Sequence, residues 1–455
     1  MKVFNRQVSG RSLTVFGFET LLISGSVLLA AQAHGAIGHV ADTLWKVVLV
    51  TALCELCFYY NDLYDLTRVH ARAELLVHVL QGTGAAAIAL AVLSVVLPSI
   101  LLGGGTFLTS LGMLLVAIPL WRLAFLGLTS DPNFEDRVLI VGTGSLAQTV
   151  ARQIRCQHDF AYRVVGFLDD AAMSDGVAGA PVLGRHADLP QVIAQHGITR
   201  VVVGLADRRG QMPIQELLHA KLAGVCVEDA ATTYERLAGK ILVDDLKPSW
   251  LIFSDGFQAS RMTRVAKRAF DLVFALAGFL LALPVMALTA LAVKLDSPGP
   301  IFYCQERVGE NGRLFTLCKF RSMRTDAEQG TPIWAKDKDD RVTRVGRIIR
   351  LTRLDELPQF WNVLRGDMSF VGPRPERQFF VEQLEAVIPF YSGRHAVKPG
   401  VTGWAQVKYR YGASVEDALE KLRYDLYYIK HRSLVFDLTI LLDTVKVIIA
   451  RKGAQ

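Results

Sequence analysis

The chain has 455 residues, too many for one hydrophobic core, so we expect two or three domains. Its hydrophobic fraction of 51% exceeds that of a typical soluble globular protein, which argues against a chain that is soluble throughout. The formal net charge of +7 fits anionic lipid headgroups, phosphorylated substrates or nucleic acid, and composition does not choose among these partners.

Four apolar segments fill the first part of the chain. Each supplies the roughly 20 residues that a membrane-spanning helix needs, and they cover about residues 12–33, 44–64, 75–102 and 106–128. Basic residues lie outside the first and third connections, which contain no lysine or arginine. By the positive-inside rule, residues 1–130 are predicted to form a four-helix transmembrane bundle with both ends in the cytoplasm.

After Pro132 short buried strands alternate with helical patterns, which is typical of a parallel sheet. The strand at 137–141 leads into Gly142-Thr-Gly144-Ser-Leu-Ala147, which matches the dinucleotide pattern G-x-G-x-x-A. We therefore predict a Rossmann-like cytoplasmic domain over residues 131–255. Asp169 and Asp170 lie near the expected position of a ribose-binding acid, but we favour a docking or regulatory module over a nucleotide-binding one.

A fifth apolar segment, residues 270–293, is long enough to cross a membrane, and Pro284 near its middle removes a backbone hydrogen bond. If the preceding domain is cytoplasmic, a full crossing would place everything after Lys294 outside the cell. We therefore predict a re-entrant helix over residues 266–295 that enters and leaves on the cytoplasmic face. An ordinary kinked spanning helix is the alternative, because membrane helices tolerate proline.

Two adjacent acids, Asp355 and Glu356, follow an arginine-rich segment and precede Pro358. Proline favours the first turn of a helix, and Gly366 can end the helix that follows, over about residues 359–364. We therefore expect both acids at or just before a helix N-terminus, where the dipole and neighbouring arginines favour ionised carboxylates. An ionised aspartate can attack phosphorus, and an adjacent acid can help to hold Mg²⁺. A simple helix cap remains the alternative for the pair taken alone.

Fixed cations surround this pair in the sequence. Lys319 and Arg321 lie at a predicted strand end, Arg374 lies in a rigid Pro-x-Pro turn, and Gln406 ends a stiff Gly/Pro-rich loop that starts at Lys398. Together these residues offer one acid pair and several cations to a doubly phosphorylated ligand. Phosphoryl transfer depends mainly on such positioning and charge neutralisation.

Several linked motifs in the region from Phe270 to the C-terminus resemble one family. They are SPGPIFYCQERVGENGRLF, CKFRSM, LDELPQFWNVLRGDMSFVGPRPE and KPGVTGWAQV. In this order they resemble the bacterial sugar transferase family, the polyprenyl-phosphate hexose-1-phosphate transferases. The upstream layout is similar to the large membrane form of that family, and YGASVEDALEKLRYDLYYIKHRSL is similar to its exopolysaccharide and exosortase-associated branch. The resemblance implies a monotopic, mostly α-helical catalytic domain with minor strands over residues 256–455.

The resemblance also implies a two-step reaction on the cytoplasmic face of a bacterial inner membrane. Asp355 attacks the sugar-bearing phosphate of a UDP-hexose, with glucose or galactose as the hexose, and expels UMP. Undecaprenyl phosphate then collects the phosphosugar from the covalent aspartyl intermediate, as the first membrane step of exopolysaccharide or other surface-glycan synthesis. The implied partners are UDP-hexose, undecaprenyl phosphate and membrane lipids, with no nucleic acid; a homodimer is left open.

Roles for individual residues follow from the same resemblance. Glu356 binds or orients Mg²⁺ beside Asp355, and Lys319 and Arg374 contact phosphates. The weaker candidates for contact with the donor or the metal are Arg321, Gln406 and Asp425.

At the membrane, Lys267 and Arg268 match a basic pair that lies at lipid headgroups, and Pro284 matches the proline that breaks the re-entrant helix. Leu283 departs from many relatives, which have serine there. A serine could cap the backbone groups that the proline frees, whereas leucine cannot.

Two hypotheses from other classes compete with this one. The GTGSLA turn would suit an NAD-dependent nucleotide-sugar oxidoreductase, although no catalytic Tyr-x-x-x-Lys lies near it. A non-enzymatic membrane scaffold would use the arginine-rich helices only as lipid anchors.

Overall fold

The computed structural model of the chain describes residues 2–3, 6–7, 10–36, 40–61, 63–64, 72–96, 103–129, 135–156, 162–170, 178–205, 212–243, 254, 256–258, 260–325, 327, 340–409, 412 and 414–449. Internal contacts divide the chain into two compact units: residues 7–233 belong to the first, and residues 234–455 together with residues 2–6 belong to the second. The predicted domain boundaries after residues 130 and 255 fall outside the described residues and stay predictions.

Two short strands that pair with each other precede four apolar helices, and these helices belong to the first unit. They are β1 (Lys2–Val3), β2 (Arg6–Gln7), α1 (Gly10–Ala33), α2 (Val40–Tyr60), α3 (Arg72–Val96) and α4 (Gly104–Thr129). Of these helices, α1, α2 and α4 are long and apolar enough to cross a membrane, and α3 contains the shorter apolar segment Val77–Leu93. Arg122 on α4 donates from Nε and Nη2 to Glu19 on α1, at 2.6 and 3.1 Å. Both side chains are buried, so their pairing fixes how these two helices meet.

The first unit contains a five-stranded sheet in which every pairing is parallel, in the order β5-β4-β3-β6-β7. Its strands are β3 (Asp136–Val141), β4 (Tyr162–Leu168), β5 (Val182–Gly184), β6 (Arg200–Val203) and β7 (Cys226–Asp229), and its helices are α5 (Ser145–Cys156), α6 (Leu189–His196) and α7 (Ile214–Leu222). The boundary between the two units falls within the next helix, α8 (Ala230–Ala238). The valine- and isoleucine-rich strands β3 and β6 suit a sheet covered on both faces. The parallel α/β expectation is confirmed, whereas the closer likeness to a Rossmann domain stays a prediction.

The second unit is mostly helical with two small sheets, as expected. Its helices are α9 (Arg261–Asp296), α10 (Arg344–Leu351), α11 (Gln359–Arg365), α12 (Gln378–Val387), α13 (Trp404–Lys408), α14 (Val415–Lys430) and α15 (Leu434–Ile449). The strands β8 (Phe302–Val308) and β9 (Leu314–Phe320) form an antiparallel hairpin, and β10 (Ser369–Val371) pairs in parallel with β11 (Gly400–Thr402). Leu384, Leu426 and Phe436 belong to one core that joins α12, α14 and α15.

Helix α9 is continuous over 36 residues, with Pro284 inside it, and is the fourth described helix that is long and apolar enough to span a membrane. Ser260 caps its start by accepting a hydrogen bond from the Thr263 backbone N–H. One face carries exposed leucines such as Leu281 and Leu288, while the other packs along the second unit. A helix of this length could either cross a membrane or enter and leave it on one face, so the predicted re-entry stays a prediction.

Both ends of α9 bond to the same unit. Near the start, the Asp271 carboxylate accepts hydrogen bonds from Ser369 Oγ and the Phe370 backbone N–H, each at 3.0 Å. At the far end, the Asp296 carboxylate accepts from the Val345 backbone N–H at 3.0 Å. These contacts attach the membrane-facing helix to β10 and α10, the two elements that lead into the candidate site.

Candidate active site

The two adjacent acids lie in a single 3₁₀ turn, Leu354–Glu356, between α10 and α11. Leu354 and Leu357 pack in an apolar cluster with Phe320 and Ile349, which holds the turn against the second unit. The side chain of Asp355 is buried, with 7% of its surface exposed, and lines a cavity of about 490 Å³. The predicted placement just before a helix N-terminus is confirmed, because α11 starts at Gln359 and ends, as expected, at a left-handed Gly366.

The two acids differ in their electrostatics. Burial raises the pKa of Asp355 to about 6, the negative charge of Glu356 adds to this, and Lys319, Arg374 and Arg350 oppose it. The neighbouring cations favour the ionised form of Asp355, as expected, but burial outweighs them, so its pKa is raised and not lowered. Burial would also raise the pKa of Glu356, but Arg374 and Arg353 outweigh it and hold that pKa below its usual value. The pKa of Asp355 therefore lies close to neutral pH, whereas Glu356 is ionised at neutral pH.

Lys319 comes from β9, directly across the hairpin from Tyr303. Its ammonium group lies 5.7 Å from the centroid of the Tyr303 ring. Burial lowers the pKa of Lys319 to about 8; Asp355 opposes that shift, while Arg307 and Arg374 add to it. Lys319 is therefore mostly cationic at neutral pH and lies in the same cavity as Asp355.

Protein contacts hold Arg374 in place. Its Nη2 donates to Glu356 Oε1 at 3.0 Å, which joins the Pro-x-Pro turn to the acid pair. Its own carbonyl accepts a hydrogen bond at 3.0 Å from Arg394 Nη2, which also binds Asp425 Oδ2 at 2.9 Å. A methyl group on Gly372 would lie 2.4 Å from the Lys398 carbonyl oxygen, so only glycine fits this approach of the two loops.

The weaker predicted contacts have protein partners. Asp425 is 2% exposed and binds Arg394, and burial raises its pKa to about 6. Arg321 donates to the carbonyls of Pro298 and Ser297, both at 2.7 Å, and so fixes the loop that follows α9. We interpret both as positioning residues, and their direct contact with donor or metal stays a prediction.

Gln406 is the third of these weaker predicted contacts. Gln406 lines the cavity, and within the described part of the chain its buried Oε1 has no hydrogen-bond partner.

The basic pair on α9 has protein partners. Lys267 Nζ binds Asp437 Oδ2 at 2.8 Å, and Arg268 donates to the carbonyls of Val363 and Leu364 at 2.7 and 2.8 Å. Both basic side chains thus tie α9 to the second unit, and contact with lipid headgroups stays a prediction.

Sequence reasoning missed several cavity-lining arginines, among them Arg307 and Arg394. Arg307 Nη1 donates to the Pro375 carbonyl at 3.2 Å and so supports the turn that carries Arg374. The two-residue alternation Tyr303, Gln305, Arg307 on β8 could have found it, because these side chains share one face of the strand. No local pattern marked Arg394, whose carboxylate partner lies 31 positions later.

A divalent cation is compatible with this acid pair. The described residues contain no group of three or more His, Cys, Asp and Glu side chains able to hold a metal by themselves. Mg²⁺, however, is usually bound by one or two carboxylates together with substrate phosphates and water. Asp355 and Glu356 supply that donor set beside a cavity that could admit a diphosphate.

In the first unit, the predicted ribose acid already has a partner. Asp169 Oδ2 accepts hydrogen bonds from the backbone N–H and the Oγ1 hydroxyl of Thr143, at 2.8 and 2.6 Å. Asp169 therefore closes the Gly142–Gly144 turn onto the end of β4. This arrangement favours neither of the two alternatives for that domain.

Comparisons with known proteins agree with the geometry. Residues 262–451 match the family described as bacterial sugar transferase, and residues 60–220 match the CoA-binding domain family. The UDP-N-acetylgalactosamine-undecaprenyl-phosphate N-acetylgalactosaminephosphotransferase of Aeromonas hydrophila is 43% identical over 239 residues, 52% of this chain and 56% of that protein.

Two further relatives have related names. The undecaprenyl-phosphate glucose phosphotransferase of Komagataeibacter xylinus is 36% identical over 328 residues, 70% of this chain and 60% of that protein. The exopolysaccharide production protein PSS of Rhizobium leguminosarum bv. phaseoli is 42% identical over 190 residues, 40% of this chain and 95% of that protein. The chain thus spans less than two thirds of the first two relatives and nearly all of the third.

Proposed function

Because this chain belongs to the bacterial sugar transferase family, we propose that it transfers a hexose-1-phosphate from a UDP-hexose to undecaprenyl phosphate and releases UMP. One observation carries the proposal: a buried aspartate with a pKa of about 6 shares a cavity with an ionised glutamate, a lysine and several arginines. The names of the relatives support undecaprenyl phosphate as the acceptor and surface-glycan synthesis as the pathway class.

In the first step, an ionised Asp355 attacks the phosphorus that bears the sugar. A bond forms between its Oδ and that phosphorus, and the bond to the bridging oxygen breaks, so that UMP leaves with the bonding electrons. With a pKa of about 6, Asp355 is ionised at neutral pH and still basic enough to attack. Lys319 and Arg374 neutralise the charge on the diphosphate oxygens.

In the second step, an oxygen of undecaprenyl phosphate attacks the same phosphorus, and the bond to Asp355 breaks. The carboxylate is regenerated and the product is an undecaprenyl-diphosphate-hexose. Glu356 and Asp355 would hold Mg²⁺, which supplies charge neutralisation at the diphosphate when bound. Glu356 also pairs with Arg374 and so orients the guanidinium group that contacts the phosphates.

The packing of α9 supports a membrane-associated site on one face. Asp271 and Asp296 both bond to the catalytic unit, although about 38 Å of helix separates them at a rise of 1.5 Å per residue. A helix crossing a membrane would carry one of these polar ends to the opposite side. The proposal therefore includes re-entry over residues 266–295 on the cytoplasmic face of the inner membrane, although α9 shows no break at Pro284 and runs through it as one helix.

UMP release tests the proposal. Purified full-length protein in lipid nanodiscs would be given undecaprenyl phosphate, Mg²⁺ and a panel of UDP-sugars that includes glucose, galactose and their N-acetylated forms. We expect UMP release that depends on undecaprenyl phosphate, near-complete loss in Asp355→Asn, and normal rates in the matched control Asp367→Asn. An oxidoreductase or a scaffold would release no UMP, and normal turnover by Asp355→Asn would refute the nucleophile assignment.

A further inference from the structure

Arg353 occupies a backbone position that usually belongs to glycine. It follows the end of α10 with φ 59° and ψ 16°, in the left-handed region. Helices commonly end on such a residue, and glycine or asparagine is favoured there because a Cβ atom is crowded in this conformation. The turn that carries Asp355 begins immediately afterwards. The left-handed residue is therefore needed to reverse the chain into the catalytic turn, but an arginine side chain is not needed for that purpose.

The Arg353 side chain lies in the wall of the candidate active-site cavity. Arg353 lines the same cavity as Asp355 and Lys319, and 37% of its side chain is exposed. Its Nη1 lies 3.5 Å from Glu356 Oε1, the oxygen that also accepts the 3.0 Å hydrogen bond from Arg374. Two guanidinium groups thus converge on one carboxylate oxygen at the cavity wall.

The contact with Glu356 alone does not account for this arrangement. Arg374 already forms the shorter contact with that oxygen. A guanidinium has five donors in a planar fork and is well suited to phosphate oxygens. Both arginines line the cavity that holds Asp355, so a diphosphate placed there for attack would bring its negative charge into the cavity that these two guanidinium groups face.

We propose that Arg353 is a donor-binding residue: together with Arg374 it contacts the diphosphate of the sugar nucleotide above Glu356. The inference rests on the proposed transfer reaction and adds a second guanidinium contact to it.

This geometry allows a variant that removes the side chain without disturbing the turn. Glycine adopts φ 59° readily, so Arg353→Gly is expected to retain thermal stability at or above the parent value. Asn311→Gly is the backbone control, since Asn311 in the hairpin turn also has a positive φ of 55°. Arg313→Gly controls for loss of an exposed arginine in the same hairpin turn.

The experiment measures UDP-glucose affinity by calorimetry in the Asp355→Asn background, and KM and kcat in the parent background with whichever UDP-sugar supports turnover. If a UDP-sugar other than UDP-glucose is the substrate, that sugar is also the calorimetric probe. Arg353→Gly should weaken donor binding and raise KM by about ten- to a hundredfold, the range expected for a lost hydrogen bond to a charged group. Arg353→Lys should recover part of the loss, and both controls should match their backgrounds.

Three results would count against the inference or its premise. Unchanged donor affinity in Arg353→Gly, with an active parent enzyme, would overturn the contact and leave the proposed function intact. A fall in kcat with unchanged affinity would also overturn it, because Arg353 would then act only through Glu356. If the parent protein neither binds nor turns over any UDP-sugar, the proposed function itself is wrong and the donor contact falls with it.

Discussion

The charge state of Lys319 should set the alkaline limit of the reaction. Its pKa is lowered from 10.5 to about 8, because burial disfavours the ammonium form. The lysine is cationic below that pH and loses its proton as the pH rises through it. About half of the molecules keep the charge at pH 8 and roughly a tenth at pH 9, whereas an unperturbed lysine would remain more than nine-tenths protonated at pH 9.

The pH profile of kcat/KM reports ionisations of the free enzyme and is therefore the appropriate measurement. We expect a bell shape whose alkaline limb falls about tenfold between the plateau and pH 9. The acid limb should lie near pH 6, because protonated Asp355 cannot attack phosphorus. Lys319→Arg keeps the charge at all these pH values and should abolish the alkaline limb, even if its plateau is lower.

The control is Lys294→Arg, at the end of α9, where the ammonium donates to the Gly299 carbonyl at 3.1 Å. This variant should keep the parent profile. An alkaline limb that persists unchanged in Lys319→Arg would show that another group loses its proton there. A rate that stays flat to pH 10 in the parent protein would refute the lowered pKa itself.

Three further variants test the support of the site. Asp425→Asn leaves the buried Arg394 without its carboxylate, so thermal unfolding should reveal a loss of about 3 kcal/mol or more and KM should rise; unchanged stability would contradict the pairing. Gly372→Ala should cost roughly 1–3 kcal/mol in chemical denaturation, because its methyl group would overlap the Lys398 carbonyl, and a neutral effect would argue against that close approach. Glu356→Gln should raise the Mg²⁺ concentration needed for half-maximal UMP release, and an identical metal titration would remove Glu356 from the metal site.

Much of the fold could be predicted because it depends on local patterns. Apolar runs of about 20 residues predicted helices that are long and apolar enough to span a membrane, and valine-rich strands alternating with helical patterns predicted the parallel sheet. Gly366 marked the end of α11, since glycine readily adopts the left-handed conformation that it has there. The acid pair was found because its motif is contiguous in sequence.

The features that were missed depend on contacts between distant segments. Asp425 meets Arg394 across 31 positions, and Lys267 meets Asp437 across 170, so neither partner could be read from spacing. The raised pKa of Asp355 depends on its burial in the folded unit, which no local pattern reports. The left-handed backbone of Arg353 was also unpredictable, because the sequence has no glycine at that position.

The covalent step can be tested directly by trapping. The protein would be incubated with a labelled UDP-sugar and Mg²⁺ in the absence of undecaprenyl phosphate, quenched, digested and analysed by mass spectrometry. The account predicts a phosphosugar adduct on Asp355 that disappears when undecaprenyl phosphate is added before the quench. UMP release without any adduct, or an adduct on a different residue, would contradict it.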